Sequence, residues 1–554
     1  MRFGIRRLKP PTRDVDVLLR YLEKHGYPQL AASLRVLPDP GERHRRAAEA
    51  LLRQDLVLPV SADLQENEVV LHFLFGSSSD VVFRPVRVHR GDVAVLLAYV
   101  AGLVEKRSLE RLVGALTFEW HPPAGARPED HLLRYTQLGA SAPRVREGLS
   151  LREAADALSQ GESVIFVAGA TRCLRLDTEG GERRGVSEPD TESVVRGPRE
   201  GFTEDIVVNT ALIRRKIRSP RLRVETLRFG NVTRTRVAIL YVAGVVSPDL
   251  LAEVRRRLQG VQIDGVLESG YLEEFIEDTP WTVFPLIKHT ERPDVVAADL
   301  LEGRVAILTD GTPFALLVPT VFPEMLQAPE DYYERYPAAG AIRLLRWIYL
   351  LVALLGPSFY IAITTFHQEM LPTPLLLTIM RARERIPFPA VVEALLMEVA
   401  FEALREAGLR LPRMVGQSVS IVGALVIGEA AVRAGIVSAP MVIVVSLTGI
   451  ASFLLPRFNA ALAVRLLRFP MMLLAGTLGA YGIFIGVMAI LIHMARLRSF
   501  GVPYLAPLAP LSVDEQKDVV FRMPWWRMKR RPGILAPRDV RRSPGGKPPA
   551  YSRM

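Results

Sequence analysis

Apolar residues divide this chain in two. Before about residue 340 they alternate with polar ones or recur at helical spacing, and from Ile342 to Ala495 they come in long runs. Four runs, about Ile342–Phe366, Val415–Ala434, Ser438–Pro456 and Pro470–Ala495, are long enough to cross a bilayer. Roughly 20 apolar residues at about 1.5 Å each span a hydrocarbon core of about 30 Å. The pattern predicts an α/β soluble domain followed by an all-α transmembrane domain with 4 clear spans, or up to 6 with re-entrant segments.

Helical spacing in VDVLLRYLEKHGY, YPQLAASLRVL and RHRRAAEALLRQDLV predicts a small charged helical extension over 1–63. Residues 64–177 mix the two periods. VVFRPVRV alternates as a strand, VAVLLAYVAGLV reads as a buried strand, and SLREAADALSQG reads as a helix stopped at Gly161. ESVIFVAG and RCLRLD read as a hairpin around Ala168–Thr171. Residues 222–320 repeat this order. VLLAYVAG from Val95 matches VAILYVAG from Val237, and LREAADALSQGESVIFVAGATRCLRL from Leu151 matches PDVVAADLLEGRVAILTDGTPFALLV from Pro293, both at an offset of 142. Two separate segments sharing one offset predict two duplicated α/β lobes, at 64–177 and 206–325.

The linker between them, 178–205, is rich in Gly, Glu and Arg, as a solvated connection would be. Its RGPREGF run also suits a fixed turn that ion-pairs with a neighbouring surface. Arg196, Arg199, Glu200 and Phe202 are therefore candidates for an inter-lobe or subunit contact. Residues 326–500 form the expected transmembrane domain, entered past Tyr332, Tyr333 and Tyr336, whose rings suit the membrane interface.

Two features stand out within that domain. Pro389–Ala407 places Glu393, Glu398, Glu402 and Glu406 among apolar residues, the last three on one helical face. Unpaired carboxylates in hydrocarbon cost several kcal/mol each. The helix either lies in the interface with its acidic face in water or lines a water-filled cation path. On the second alternative Glu398, Glu402 and Glu429 are candidate cation-path or gating carboxylates. In Val415–Ala434, the stripe Gln417, Ser420, Ala424, Gly428 and Ala431 suits either close helix packing or a pore face. Glu429 and Arg433 are spaced to pair along that helix, and Gly476, Gly479, Gly482 and Gly486 suggest close packing in the last span.

The net charge is +11, and Asp514–Met554 alone holds eleven Lys and Arg against four Asp and Glu. Beside a span, such a basic tail (501–554) predicts a cytoplasmic flank near anionic headgroups rather than a nucleic-acid arm. No apolar run follows the basic N-terminus, so no secretory signal is expected and both ends are predicted cytoplasmic. That requires an even number of crossings. With four, Arg381–Arg385 and a loop carrying Arg457, Arg465 and Arg468 both fall outside, against the positive-inside tendency. A further crossing between Leu371 and Leu404 would move some of them.

The single Cys173 excludes an intrachain disulfide. There is no GxxxxGK[ST], HExxH, GxSxG or paired CxxC, and the nine histidines lack metal-ligand spacing. His367, near Glu369, reads as an interfacial residue. No catalytic, cofactor or metal site is expected.

Long segments carry a family resemblance: RGPREGFTED (Arg196–Asp205) with NTALIRRKIRSPRL, ESGYLEEFIEDTPWTVFP (Glu268–Pro285) and ERPDVVAADLLEGRVAILTDGTPFALLVPTVF (Glu291–Phe322). FHQEMLPTPLL, RIPFPAVVEALLMEVAFEALREAGLRLP, GQSVSIVGALVIGEAAVRAGIVSAPMVIVV, FGVPYLAPLAP and PWWRMKRRP continue it. The chain resembles the A subunits of GerA-type spore germinant receptors over most of residues 70–535. The helical extension is longer than the family pattern.

The resemblance implies a multi-pass protein of the spore inner membrane. It would work with an integral-membrane B subunit that binds the nutrient and a lipoprotein C subunit. It would assemble as a ring, a pentamer, forming a nutrient-gated channel for monovalent cations. A SpoVAF-type accessory channel shares this architecture, and a non-conducting scaffold or a transporter are the other readings. A transporter would show repeats in the membrane half, whereas the duplication lies in the soluble half.

Overall fold

The structure is a computed structural model. It describes residues 12–542 except 38, 53–55, 77, 88–93, 121–126, 128, 134–143, 181–187, 190, 411–425 and 427.

The extension is three helices, α1 (Thr12–Lys24), α2 (Pro28–Arg35) and α3 (Pro40–Leu51). Leu18, Leu22, Leu34 and Leu51 enter the same core as Val70 and Phe73 of α4 (Leu64–Phe75), so the extension is packed onto the first lobe. That lobe continues through β1 (Val81–Arg87), β2 (Ala94–Val100), α5 (Lys106–Gly114), β3 (Val145–Gly148), α6 (Leu151–Gln160), β4 (Ser163–Val167) and β5 (Cys173–Leu176). The second lobe has α7 (Ile206–Lys216), β6 (Leu222–Phe229), β7 (Thr235–Val242), α8 (Pro248–Gln259), α9 (Ser269–Ile276), β8 (Lys288–Thr290), α10 (Pro293–Glu302), β9 (Val305–Thr309) and β10 (Ala315–Val318).

The two sheets have the same strand order, β1-β2-β4-β5-β3 and β6-β7-β9-β10-β8, so the duplication read from the sequence is a duplication of topology. Each sheet is covered on both faces. In the second lobe Ala238, Leu240, Ala306 and Leu308 pack on α7 and α10, while Val237, Ile239, Val305 and Ile307 pack on α8 and α9. Burial on both faces is why these strands read as continuous apolar runs.

The repeat extends to a polar clasp at the head of each lobe. The Asn67 side chain donates to the Ser61 carbonyl (2.7 Å) and accepts from its N–H (2.8 Å). Asn209 does the same with Thr203 (2.5 and 2.7 Å). Asp63 and Asp205 cap the helices that follow. The lobes are joined by the Ser79 N–H, which donates to the Val224 carbonyl (2.9 Å), and by buried Arg214 on Asp80 (2.8 Å).

The C-terminal half is a helical bundle of α11 (Tyr336–Thr365), α12 (Thr373–Arg383), α13 (Ala390–Arg410), α14 (Ala439–Phe453) and α15 (Phe458–Arg496). Among the described residues only α11 and α15, of 30 and 39 residues, are long and apolar enough to cross a membrane. Of the four expected spans, two thus satisfy length and composition among the described residues, and a count of four is not confirmed. The run Ser438–Pro456 yields the 15-residue α14, which is about 22 Å long. Most of Val415–Ala434, including Gln417, Ser420 and Ala424, lies outside the described residues.

The fourth expected span is a reversal. Gly479, at φ 63° and ψ −141°, breaks α15. Gly486 lies against Met471 and Gly482 against Leu474. Fifteen residues of straight helix would hold Gly486 and Met471 about 22 Å apart. Thus α15 is an antiparallel pair of arms, 458–478 and 480–496. Only glycine readily takes the Gly479 backbone angles. His367 Nε2 accepts the Ala480 N–H at 3.2 Å, so the end of α11 meets the tip of this hairpin. The expected loop with Arg457, Arg465 and Arg468 is corrected too. Arg465 and Arg468 lie buried in the first arm, and only Arg457 precedes it.

Candidate functional site

Two sets of charges carry the connections that matter: one inside the bundle, one where the bundle meets the second lobe. The acidic residues of α13 face arginines of the first α15 arm. Glu398 pairs with Arg468 (2.6 Å), whose Nε also donates to the Ala353 carbonyl of α11 (2.7 Å). Glu402 pairs with Arg465 (2.7 Å) and with Arg405 (3.3 Å). Arg405 in turn donates to Ser452 at the end of α14 (3.2 Å). At the other end of α13, fully buried Glu393 accepts from the Ser438 N–H (2.5 Å) and lies 3.7 Å from Arg383. Glu393 and Glu398 are thus buried in the bundle, Glu402 is half-buried and Glu406 is exposed.

Other sequence candidates separate from this group. Glu429 pairs with Arg433 (2.6 Å), both exposed. Gly428 is buried beside Val442 of α14, and Ala431 packs into the bundle core. These two members of the small-residue stripe make packing contacts.

The junction is built on residues 191–205, a strap laid along the second lobe. Arg292, fully buried, donates to the carbonyls of Glu192 (3.1 Å) and Pro198 (2.9 Å) and to Asp294 (2.8 Å). The Glu192 carboxylate accepts from Thr290 and pairs with Arg457 at the foot of α15. On the other side, the Val195 N–H donates to Glu330 (2.5 Å), and Gly197 lies flat on the Tyr333 ring at φ 142°. A Cβ there would come within 2.8 Å of that ring.

Of the strap candidates, Arg196 reaches Glu334 (4.0 Å), Arg199 reaches Glu188 (3.6 Å) and Glu200 pairs with Lys216 (3.0 Å). Phe202 is buried in the second-lobe core.

The chain then enters α11 through a second knot. Buried Asp331 takes Arg343 (3.1 Å) and Arg346 (2.8 Å) from the first turns of α11. Arg343 also pairs with Asp518 of the tail (2.7 Å), which accepts from Tyr332 (2.9 Å). Beneath lies a cavity of about 680 Å³ between α10 and the tail, lined by Lys288, Asp299, Arg304 and Glu324. Burial pushes the Asp299 carboxyl up, but Lys288 and Arg304 overrule it and hold it below the usual range. Burial, then Arg457, lowers the His289 imidazole, which sits 3.4 Å from Asn459 of α15. Among the described residues no group of three or more His, Cys, Asp or Glu forms a metal centre.

Sequence reasoning finds the carboxylates of α13 but misses Glu192, Arg292, Asp331 and Arg343. One signal was available for the bundle: Arg465 and Arg468 share a helical face, as do Glu398 and Glu402.

Residues 70–534 match the family model described as "Bacillus/Clostridium GerA spore germination protein". The chain is 47% identical over 478 residues to "Uncharacterized membrane protein YfkQ" of Bacillus subtilis (strain 168), covering 86% of this chain and 92% of that one. It is 46% identical over 498 residues to "Spore germination protein KA" of the same organism, covering 89% and 91%. A crystal structure of the N-terminal domain of the A subunit of the Bacillus megaterium spore germinant receptor GerK3 is 31% identical, covering 48% of this chain and 98% of that chain at a TM-score of 0.38. With a family model matched over most of its length and relatives this similar along nearly all of theirs, the chain belongs to the GerA spore germination protein family.

Proposed function

We propose that this chain is the membrane-embedded A subunit of a nutrient germinant receptor, a ring-forming subunit that gates monovalent cations in the spore inner membrane. The supporting observation is the inverted chemistry of the bundle. Its outside carries exposed Leu351, Phe359, Leu447, Ile450, Phe484 and Met488, while Glu398, Arg468, Arg465 and Glu393 are turned inward. Lipid solvates the first set, and pairing satisfies the second. Counting α11, α13, the stretch 415–434, α14 and the two arms of α15 as crossings gives six. Both the lobes and the tail then face the cytoplasm.

The strap and the Asp331 knot are the route by which a change in the lobes reaches α11 and α15. The integral-membrane B subunit supplies nutrient recognition, and the lipoprotein C subunit completes the complex. The test is co-reconstitution of the three subunits in liposomes, with potassium flux measured on nutrient addition. Ser420→Leu and Ala424→Leu should each cut that flux. Unchanged flux in both would remove residues 415–434 from the proposed pore.

A second reading, a non-conducting scaffold, is favoured by one observation. Glu398 and Glu402 are both engaged by arginines, which leaves less negative charge for a cation path. It predicts no flux in any subunit combination.

A further inference from the structure

The second lobe exposes apolar side chains that none of its own layers covers. Trp281 is 94% exposed, and Val283, Tyr271 and Phe275 are exposed as well. A bare indole among further exposed apolar side chains calls for a second surface.

The backbone beside it is held firmly. Asp278 accepts from Arg257 (2.7 Å) and from the Phe500 N–H (2.7 Å). Thr282 Oγ1 lies 2.9 Å from His493 Nε2, and Phe284 is buried with Ala463 and Met494 between the feet of the two α15 arms. Trp281 is thus positioned at the base of the arm 480–496. That arm exposes Phe484, Met488, Leu491 and Ile492, so its apolar surface continues through Ile492 and His493 onto the loop. Arg496 and Arg498 are exposed at the same end and have no carboxylate partner among the described residues.

We propose that the loop 279–283 of the second lobe sits in the headgroup layer of the bilayer, with Trp281 as its anchor and Arg496 and Arg498 drawing anionic headgroups. The indole is amphipathic and favours that layer, and arginine at a helix end reaches headgroups while its stem stays apolar. A second copy of the chain fits less well, because a stable protein interface needs about 800 Å² per partner. One tryptophan and a few flanking side chains supply far less. The lobe would then touch the membrane directly as well as through α11. This rests on the bundle being membrane-embedded.

The test uses the full chain in lipid nanodiscs of phosphatidylcholine with phosphatidylglycerol. Trp281→Cys and, separately, Met488→Cys are labelled with an environment-sensitive fluorophore. Buried Cys173 stays unlabelled, as the parent chain would verify. Lipids brominated on the acyl chain should quench both probes, shallow bromines acting more strongly on position 281. Removing phosphatidylglycerol should weaken quenching at 281, and Arg496→Gln with Arg498→Gln should abolish that dependence. Quenching at 488 without quenching at 281 overturns the proposal and leaves the membrane reading standing. Quenching at neither position overturns both. Energy transfer between 281 probes on different chains, with no lipid quenching there, would assign the surface to a second copy and sink the proposal.

Discussion

At the scale of single residues, the largest stakes are in the pair Glu398–Arg468, because both are buried and each is the other's main compensation. Removing one partner of a buried ion pair strands a charge, at a cost of about 3–5 kcal/mol, whereas replacing both with apolar groups is often close to neutral. Arg468→Met should therefore destabilise the bundle by about that amount. Glu398→Leu combined with Arg468→Met should recover most of the loss. Unfolding of the full chain in mild detergent, run as a double-mutant cycle, measures both. If the double variant is as weak as the sum of the singles, the pair is not the unit described here. The four carboxylates of Pro389–Ala407 are plain in the sequence. Their partners are not, because pairing across 70 residues depends on the fold of the bundle. A carboxylate in an apolar run reads as a pore feature until the arginine opposite it is seen.

At the scale of elements, α9 combines secure packing with a charge problem. Leu272 and Ile276 are buried beneath it, while burial, then Glu277, pushes the Glu273 carboxyl up to about 8. Burial likewise pushes Glu277 up to about 7. A carboxylate raised above its unfolded value binds its proton more tightly when folded. The fold is then favoured at low pH and loses stability as pH rises from about 4.5 through the raised values. Hydrogen-exchange protection of α9 should fall between pH 5 and pH 8 after correction for intrinsic exchange. Glu273→Gln should flatten that decline and raise protection at pH 8 by about 1–2 kcal/mol. Equal slopes in both chains would reject this account. Elements also show where periodicity succeeds and fails. The duplicated strands and α6 and α10 are legible because both copies obey the same offset. The α15 hairpin is not. Gly479 reads as one more small residue in an apolar helix, and an apolar run says nothing about its own reversal.

At the scale of the whole molecule, the tail is the element that touches everything. Its basic composition predicts a flank lying on headgroups, yet much of its charge is used within the chain. Arg343 holds Asp518 at the mouth of α11 (2.7 Å), and Arg522 lies over the rings of Tyr332 and Trp525 (5.6 and 5.7 Å). Arg531 donates to the Leu301 carbonyl (2.7 Å), Arg542 pairs with Glu302 of α10, and Arg538 pairs with Glu49 of α3. One segment thus ties the bundle, the second lobe and the N-terminal extension together. The outer two pairs are partly exposed, so salt screens them. Arg542→Glu should release the end of the tail, seen as faster chymotryptic cleavage at Trp525 and Trp526 in the full chain. High salt should move the parent chain in the same direction. Glu302→Arg added to Arg542→Glu should restore resistance, because the swapped charges can meet again at the same place. Cleavage that stays fast in the double variant would mean that Arg542 holds the tail by packing on Trp525 (5.5 Å) rather than by its charge, and the tie to α10 would then be apolar.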